Sequence, residues 1–376
     1  MEFINLKTQY EILKDNINNR IYNVMEKGNF ILSREVDEFE ALIADYVDMK
    51  YAVSCGNGTE ALQLIYMAYG IGKGDAVFCP DMTFIASIEP AVMLGAHPVF
   101  CDIDLLNYNI NIESLENMVK KTISDGIYIP KAIIAVDFLG NPSDIDGIRE
   151  IARKYDLLVI EDAAQGMGAI NKGRKCCSLG DISATSFFPT KPLGCYGDGG
   201  AIFTNDVNMK NILCSLRVHG KGKTKYDNIR IGLNSRLDTI QAVVLLEKLK
   251  VLEQEIEKRQ EIAFYYSKKL YEYLCVPEIE NNMRSSFAQY VLMAENEKQK
   301  KYIVSYLSDK GIPTLYYYPN PLHKLPVFRN LGYDDDYYPN TIAYCERAFA
   351  VPFSPYIKKQ EQDEVIDAIK ECFKNL

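Results

Sequence analysis

The chain has 376 residues, 48% of them hydrophobic and 25% charged, which is longer than one typical domain and the make-up of a soluble globular protein with a sizeable core. Its formal net charge of −9 argues against a nucleic-acid or anionic-membrane partner, while leaving room for local basic pockets that hold phosphate. No run reaches the ~18 apolar residues needed to cross a bilayer, and Met1-Glu2-Phe3-Ile4-Asn5-Leu6-Lys7 lacks the cationic-then-apolar pattern of a signal peptide, so a cytoplasmic location is expected.

The first thirty residues are polar with helical spacing, and are expected to pack on a smaller domain or a partner subunit. Short apolar runs then alternate with helical segments up to about residue 205. Tyr51–Cys55, Ala76–Cys79, Pro98–Asp102, Ala132–Val136, Leu157–Ile160, Ser183–Phe187 and Ala201–Thr204 read as buried strands. Helical spacing between the early ones, as in Ile145, Ile148, Ile151 and Ala152, makes this a run of βαβ units and an α/β fold with a largely parallel sheet. Ligands bind such sheets beyond the carboxyl ends of the strands, so the segments that follow each strand are where chemistry is sought.

Gly56-Asn57-Gly58-Thr59-Glu60-Ala61-Leu62 joins a strand to a helix. Its glycines and free helix N–H groups suit a phosphate, with the Thr59 hydroxyl as an added donor; an ordinary helix start capped by Thr59 is the alternative. It matches neither a P-loop nor a dinucleotide fingerprint. Pro80-Asp81-Met82-Thr83-Phe84 follows the next strand, and Phe84 is placed either against a flat cofactor or in the core. In Glu161-Asp162-Ala163-Ala164-Gln165-Gly166, Asp162 could hold a pyridinium nitrogen and Gln165 a ring hydroxyl, while helix capping by Asp162 is the plainer reading.

Lys191 lies among apolar and turn-forming residues in Ser186–Gly200. A poorly solvated amine has its charged form disfavoured and its lone pair free to attack a carbonyl, which with Asp162 suggests a pyridoxal phosphate (PLP) site. A surface lysine in a glycine-rich loop is the alternative. Among ten cysteines there is no Cys-x-x-Cys or His/Cys cluster, so reduced structural thiols and no metal are expected, with Cys195 packed rather than reactive. His219 sits in a loop, either touching substrate or not. Gly232-Leu233-Asn234-Ser235-Arg236-Leu237-Asp238 offers Asn234 to a phosphate and Arg236 to an anionic substrate group; a capping segment with an Arg–Asp surface pair is the alternative.

From Asp238 to about Tyr273 the pattern is one long amphipathic helix. A strand (Phe287–Met293), a helix (Glu295–Lys310), a Tyr/Pro-rich loop (Tyr316–Pro326) and a closing helix (Lys359–Phe373) follow. The expected division is a large domain over residues 1–250 and a smaller α+β domain over 251–376.

Taken together, Ser54–Leu62, Thr83-Phe84-Ile85-Ala86, Glu161–Gln165, Ser186–Gly200 and Asn234–Ala242, with the opening Phe3–Lys7, resemble the DegT/DnrJ/EryC1/StrS sugar aminotransferases. The resemblance implies a fold-type I PLP enzyme in which Lys191 is the Schiff-base lysine and later carries a proton. It implies that Asp162 pairs with the pyridine nitrogen, Gln165 lies near the ring oxygen and Phe84 stacks on the ring. Gly58, Thr59 and Ser186 then hold the cofactor phosphate, with Asn234 arriving from the second subunit of a homodimer. A related dehydrating branch has histidine at the lysine position, and Lys191 argues against it.

Arg217–Leu249 most resembles transaminases acting on UDP-2-acetamido-2-deoxy-3-keto-hexuronate, in which residues matching His219 and Arg236 hold the sugar carboxylate. That group tends to carry histidine where Tyr317 stands. A tyrosine donates a hydrogen bond but brings no charge, which leaves a neutral keto-deoxysugar as the other candidate substrate. Leu32-Ser33-Arg34-Glu35 also departs from the family's usual Gly-Pro before the acid. The implied activity is transfer of an amine, with L-glutamate as donor, to C3 or C4 of a nucleotide-linked hexose for polysaccharide, glycan or antibiotic-sugar assembly. A PLP-fold protein without turnover, acting as a regulator, is the alternative of another class.

Overall fold

The computed structural model of the chain describes residues 1–224 and 226–374. Seven strands form the central sheet: β1 (Tyr51–Cys55), β2 (Asp75–Pro80), β3 (His97–Cys101), β4 (Ile129–Val136), β5 (Leu158–Asp162), β6 (Ile182–Ser186) and β7 (Gly200–Thr204). Their spatial order is β1-β7-β6-β5-β4-β2-β3, and β7 alone runs against its neighbours. Each strand expected from sequence is present within a few residues at its ends.

The apolar runs are continuous because both faces of the sheet are covered. Alternate side chains enter different cores. Ala52, Ala76, Phe78, Ile133 and Ala135 join one cluster with Phe39 and Ile148, whereas Val53, Val77, Cys79, Ile134 and Val136 join another with Leu62 and Ile65.

The opening helix, Leu6–Lys27, starts where the Asn5 side chain accepts from the Thr8 N–H and stops at Gly28, which has φ 65°. It packs Leu13 and Ile17 on Val244 and bonds Gln9 to Glu255 at 2.8 Å. It therefore lies on the helical stretch after Asp238. That stretch is two helices, Thr239–Leu249 and Leu252–Leu270, where the sequence suggests one. The break at Lys250–Val251 lets Leu245, Leu246, Leu252 and Ile256 all reach the large-sheet core, and lets Ile262, Tyr266 and Leu270 enter a separate cluster.

This third cluster is closed by the paired strands Val291–Met293 and Ala348–Ala350 and the helices Glu297–Asp309 and Lys359–Lys374. The strand expected over Phe287–Met293 is shorter because Ser286 and Ala288 donate instead to the backbone of Gly140 and Leu139. Tyr317, Tyr318, Leu322, Phe328, Tyr338 and Tyr344 pack back onto the large-sheet cluster, so the Tyr/Pro-rich loop closes over the carboxyl edge of β2.

Candidate active site

The ends of β1, β2, β5 and β6 bring four sequence segments to one edge. Helix Gly58–Ala68 begins directly after β1, capped by Asn57, whose side chain accepts from the Glu60 N–H at 2.8 Å. Thr59 is therefore not the cap, and its N–H and that of Gly58 stay available at the positive end of the helix. A Cβ on Gly58 would lie 2.7 Å from the Cβ of Ser186, so no other residue fits there without displacing the end of β6. The result is a cradle of backbone donors and two hydroxyls, of the size and polarity for a phosphate.

Period-two alternation along β5 separates the two acids. Glu161 is fully buried and accepts from the N–H groups of Cys177, Leu179 and Gly180 and from the Ser183 hydroxyl. Its partner across a fully buried gap is Asp137, whose carboxyl is pushed well above its ordinary pKa by burial and then by the Glu161 charge. With Cys176 these acids form one compact group, but the four donors on Glu161 give it a structural task.

Asp162 faces the other way, is 6% exposed, and ends the strand without capping a helix. Its Oδ1 accepts from the Ala164 N–H at 3.1 Å and its Oδ2 from the Ser87 hydroxyl at 2.6 Å.

Lys191 is half-buried in the loop between β6 and β7. Burial pushes its amine pKa down, and the Asp162 charge only partly opposes this. A surface lysine would not behave so. The loop is held by the Lys191 N–H to Phe188 at 2.9 Å, Cys195 N–H to Phe187 at 2.8 Å and Lys248 Nζ to Gly194 at 2.7 Å. Cys195 is fully buried, and burial raises its thiol pKa to about 11, which fits packing rather than reactivity.

Phe84 is 54% exposed at the edge of the cleft, so it is not a core residue; its ring centroid lies 5.5 Å from that of Tyr318. The Gln165 amide oxygen accepts from the Leu139 N–H, which fixes the amide so that its N–H₂ is the end left for another acceptor. An exposed aromatic face, a buried acid, an amine with a depressed pKa and the Gly58–Ser186 cradle together fit a flat, phosphorylated aldehyde.

His219, Asn234 and Arg236 are not part of this group within one chain. His219 and Asn234 are exposed, and Arg236 is half-buried without hydrogen bond or ion pair among the described residues, so the Arg–Asp surface pair is not formed. The three share one ladder-like segment in which His219 N–H donates to Leu233 at 2.7 Å and Ser235 N–H to Arg217 at 2.9 Å. Ser235 Oγ accepts from Gly56 at 3.0 Å, which ties this segment to the start of the cradle. Tyr317 is half-buried beside Phe3 and Tyr318.

Sequence reasoning missed Ser87 and Tyr318. Tyr318 lies near Asp162 and Gln165, and burial followed by the Asp162 charge raises its phenol pKa far above the ordinary value. Its place beside Tyr317 in the Tyr/Pro-rich loop was the available signal. Lys248, 3% exposed and lowered by burial to a pKa of about 8, was hidden within a helix pattern.

The sheet order and the lysine–aspartate cleft define a fold-type I PLP-dependent aminotransferase architecture. The chain belongs to the DegT/DnrJ/EryC1/StrS aminotransferase family, which it matches over residues 11–370. It is 44% identical to the UDP-2-acetamido-2-deoxy-3-oxo-D-glucuronate aminotransferase of Pseudomonas aeruginosa, over 87% of this chain and 88% of that one. It is 37% identical to a pleiotropic regulatory protein of Geobacillus stearothermophilus (99% and 98% covered). It is 36% identical to the dTDP-3-amino-3,6-dideoxy-alpha-D-galactopyranose transaminase of Aneurinibacillus thermoaerophilus (97% and 96%). A crystal structure of a family aminotransferase from Brucella abortus superposes with a TM-score of 0.96 at 43% identity, covering 99% of both chains. NtdA of Bacillus subtilis, solved with bound cofactor PMP, gives 0.87 at 27% identity, covering 96% of this chain and 82% of that one.

Proposed function

We propose that this PLP-dependent nucleotide-sugar aminotransferase acts on a UDP-linked 2-acetamido-3-keto-hexuronate, with L-glutamate as amino donor. The observation that carries the reading is the Lys191 amine, its charge disfavoured by burial, set beside the Asp162 carboxylate in a cleft with a phosphate-sized cradle. The 44% identity to an enzyme named for a 3-oxo-glucuronate supports the uronate.

In this reading PLP supplies an aldehyde to hold the amine and a ring that takes up negative charge. Gly58, Thr59 and Ser186 would hold its phosphate, Phe84 would cover one face, Gln165 would donate to the ring oxygen and Asp162 would pair with the ring nitrogen. Lys191 Nζ would hold the aldehyde carbon, with its oxygen leaving as water, and would be the group that carries the proton at the substrate carbon.

Asn234, His219 and Arg236 belong to the site of a second copy. Support comes from the exposure of His219 and Asn234, from the half-buried Arg236 having no partner among the described residues, and from apolar neighbours in the same region, Ile229 at 58% and Ile231 at 87% exposed. A cytoplasmic location is part of the same reading: all ten cysteines are free, and no described helix is long and apolar enough to cross a membrane. Tyr317 favours a second substrate, a neutral keto-deoxyhexose, since it brings no positive charge to a carboxylate.

The test is direct. Protein with added PLP should show a visible absorbance that borohydride traps at Lys191, that glutamate bleaches, and that Lys191→Ala lacks. A panel of nucleotide keto-sugars then assigns the substrate by mass spectrometry and NMR. A protein that traps no PLP at Lys191, or whose Lys191→Ala form turns over normally, is not this enzyme; a band that glutamate leaves unchanged points to a regulator.

A further inference from the structure

Ser87 is 1% exposed and belongs to a single turn, Ile85–Ser87, just beyond β2. A buried serine in such a turn normally satisfies its hydroxyl on nearby backbone. Here Oγ reaches Asp162 Oδ2, 75 positions away, at 2.6 Å. A second hydroxyl backs it, because Thr83 Oγ1, 4% exposed, lies 2.8 Å from Ser87 Oγ. An ionised carboxylate only accepts, so the direction of the chain is fixed: Thr83 donates to Ser87, and Ser87 donates to Asp162. The backbone of Ser87 is pinned in turn by the fully buried Tyr66, whose hydroxyl donates to the Ser87 carbonyl at 2.8 Å.

We propose that Ser87, backed by Thr83, is the positioning residue that holds the Asp162 carboxylate aimed at the cofactor's ring nitrogen. The inference rests on the reading of Asp162 as the partner of that nitrogen. A short hydrogen bond from a buried hydroxyl fixes where the carboxylate oxygen it touches sits. The 3.1 Å bond from Ala164 occupies Oδ1, so the two contacts set the carboxylate plane and leave its outer lone pairs for the ring.

The other titratable groups around Asp162 do not supply this. Tyr66, Tyr318, Cys79 and Cys177 are all held neutral by burial. Lys191 is the amine facing it, its charge disfavoured by burial, and its nitrogen is committed to the cofactor when that is bound.

Without the Ser87 hydroxyl the carboxylate is free to turn away from the ring, and the ring nitrogen loses the partner that holds its positive charge. A positive charge on the ring disfavours a proton on the nitrogen joining Lys191 to the cofactor. Its loss lets that nitrogen keep its proton to higher pH.

The experiment compares wild type, Ser87→Ala, Thr83→Val and Thr83→Ser, each loaded with PLP and free of substrate. The readouts are the pH midpoint of the visible band and the PLP dissociation constant. We expect Ser87→Ala to remain trappable at Lys191, with its midpoint raised by at least about half a pH unit (about threefold in proton concentration) and PLP bound about tenfold more weakly. Thr83→Val should shift the midpoint the same way by less, and Thr83→Ser, which keeps the hydroxyl, should match wild type. A Ser87→Ala band that titrates as in wild type overturns the inference. Should Ser87→Ala not fold, an unshifted Thr83→Val does so instead. A wild type that traps no PLP at Lys191 brings down the underlying reading, a different failure seen before any variant is compared.

Discussion

Gly58 and Ser186 touch: a side chain added at Gly58 would place its Cβ 2.7 Å from the Ser186 Cβ and 3.3 Å from its Cα. Both distances are to atoms close to the backbone, so the contact cannot be relieved by turning a flexible side chain. Helix Gly58–Ala68 and the end of β6 are thereby set at the spacing that makes the cradle. Gly58→Ala should force them apart. We expect a stability loss of about 1–3 kcal/mol, as for other overpacked sites. PLP affinity should fall at least about tenfold, since the donors no longer converge on one anion. Denaturant melts and cofactor titration of the same sample read both effects, and a variant that keeps wild-type PLP affinity would refute the role of the cradle.

The Tyr/Pro-rich loop is fastened to the edge of β2 by a buried pair. His323 Nδ1 lies 2.6 Å from Asp81 Oδ2, the His323 N–H donates to Asp81 Oδ1 at 2.9 Å, and Nε2 lies 3.1 Å from Asp335 Oδ1. Burial opposes protonation of His323, but the hydrogen bonds and charges of Asp81 and Asp335 outweigh it and raise its pKa. A raised pKa means the proton is bound more tightly in the folded state. The resulting stability is complete below the ordinary imidazole value of about 6.5 and is lost as pH climbs through the raised one. Asp81, raised chiefly by burial, acts with the same sign. Unfolding midpoints measured from pH 6 to pH 9 should therefore fall in wild type and change less in His323→Gln. His323→Ala should cost about 3–5 kcal/mol at pH 6, because it leaves Asp81 Oδ2 buried without its imidazole partner, the backbone N–H on Oδ1 alone remaining. A pH profile that His323→Gln leaves unchanged would exclude the pair as its source.

What the sequence disclosed follows from how local each signal was. β1 to β7 were legible because a strand covered on both faces is apolar over most of its length, as in Ala132–Val136 of β4 and Leu158–Ile160 of β5. Asp162 was legible as chemistry because it closes a strand ahead of the small residues Ala163 and Ala164, and Lys191 because it is the one basic residue in the apolar and turn-forming run Ser186–Gly200. Partners far apart in the chain were not. Ser87 meets Asp162 across 75 positions and Asp81 meets His323 across 242, and no spacing rule connects such pairs. Asn57 is the cap where the alternative reading has Thr59, because both are good capping residues and only the backbone decides between them. The turn at Lys250–Val251 was invisible for another reason: the residues on both sides of it are strong helix formers, and tertiary packing overrides their preference.

Tyr317 and Arg236 separate the two candidate substrates. Tyr317 is half-buried, and burial raises its phenol pKa, so at neutral pH it offers a hydroxyl and no charge of either sign. Arg236 carries a permanent charge and has no protein partner among the described residues, so its guanidinium is available to an acid. If the sugar is a uronate, Arg236→Ala removes a charge-assisted bond of about 1.5–3 kcal/mol, and kcat/KM should drop roughly 10- to 150-fold. The same variant should change turnover of a neutral keto-deoxyhexose less than about threefold. Tyr317→His adds a second group able to carry positive charge and should raise uronate kcat/KM, more at pH 6 than at pH 8, because the imidazole is protonated only towards the lower value. Steady-state kinetics on both sugars at the two pH values decide the matter. Equal losses on both sugars in Arg236→Ala would remove the carboxylate from the role assigned to Arg236, and with it the main residue-level support for the uronate.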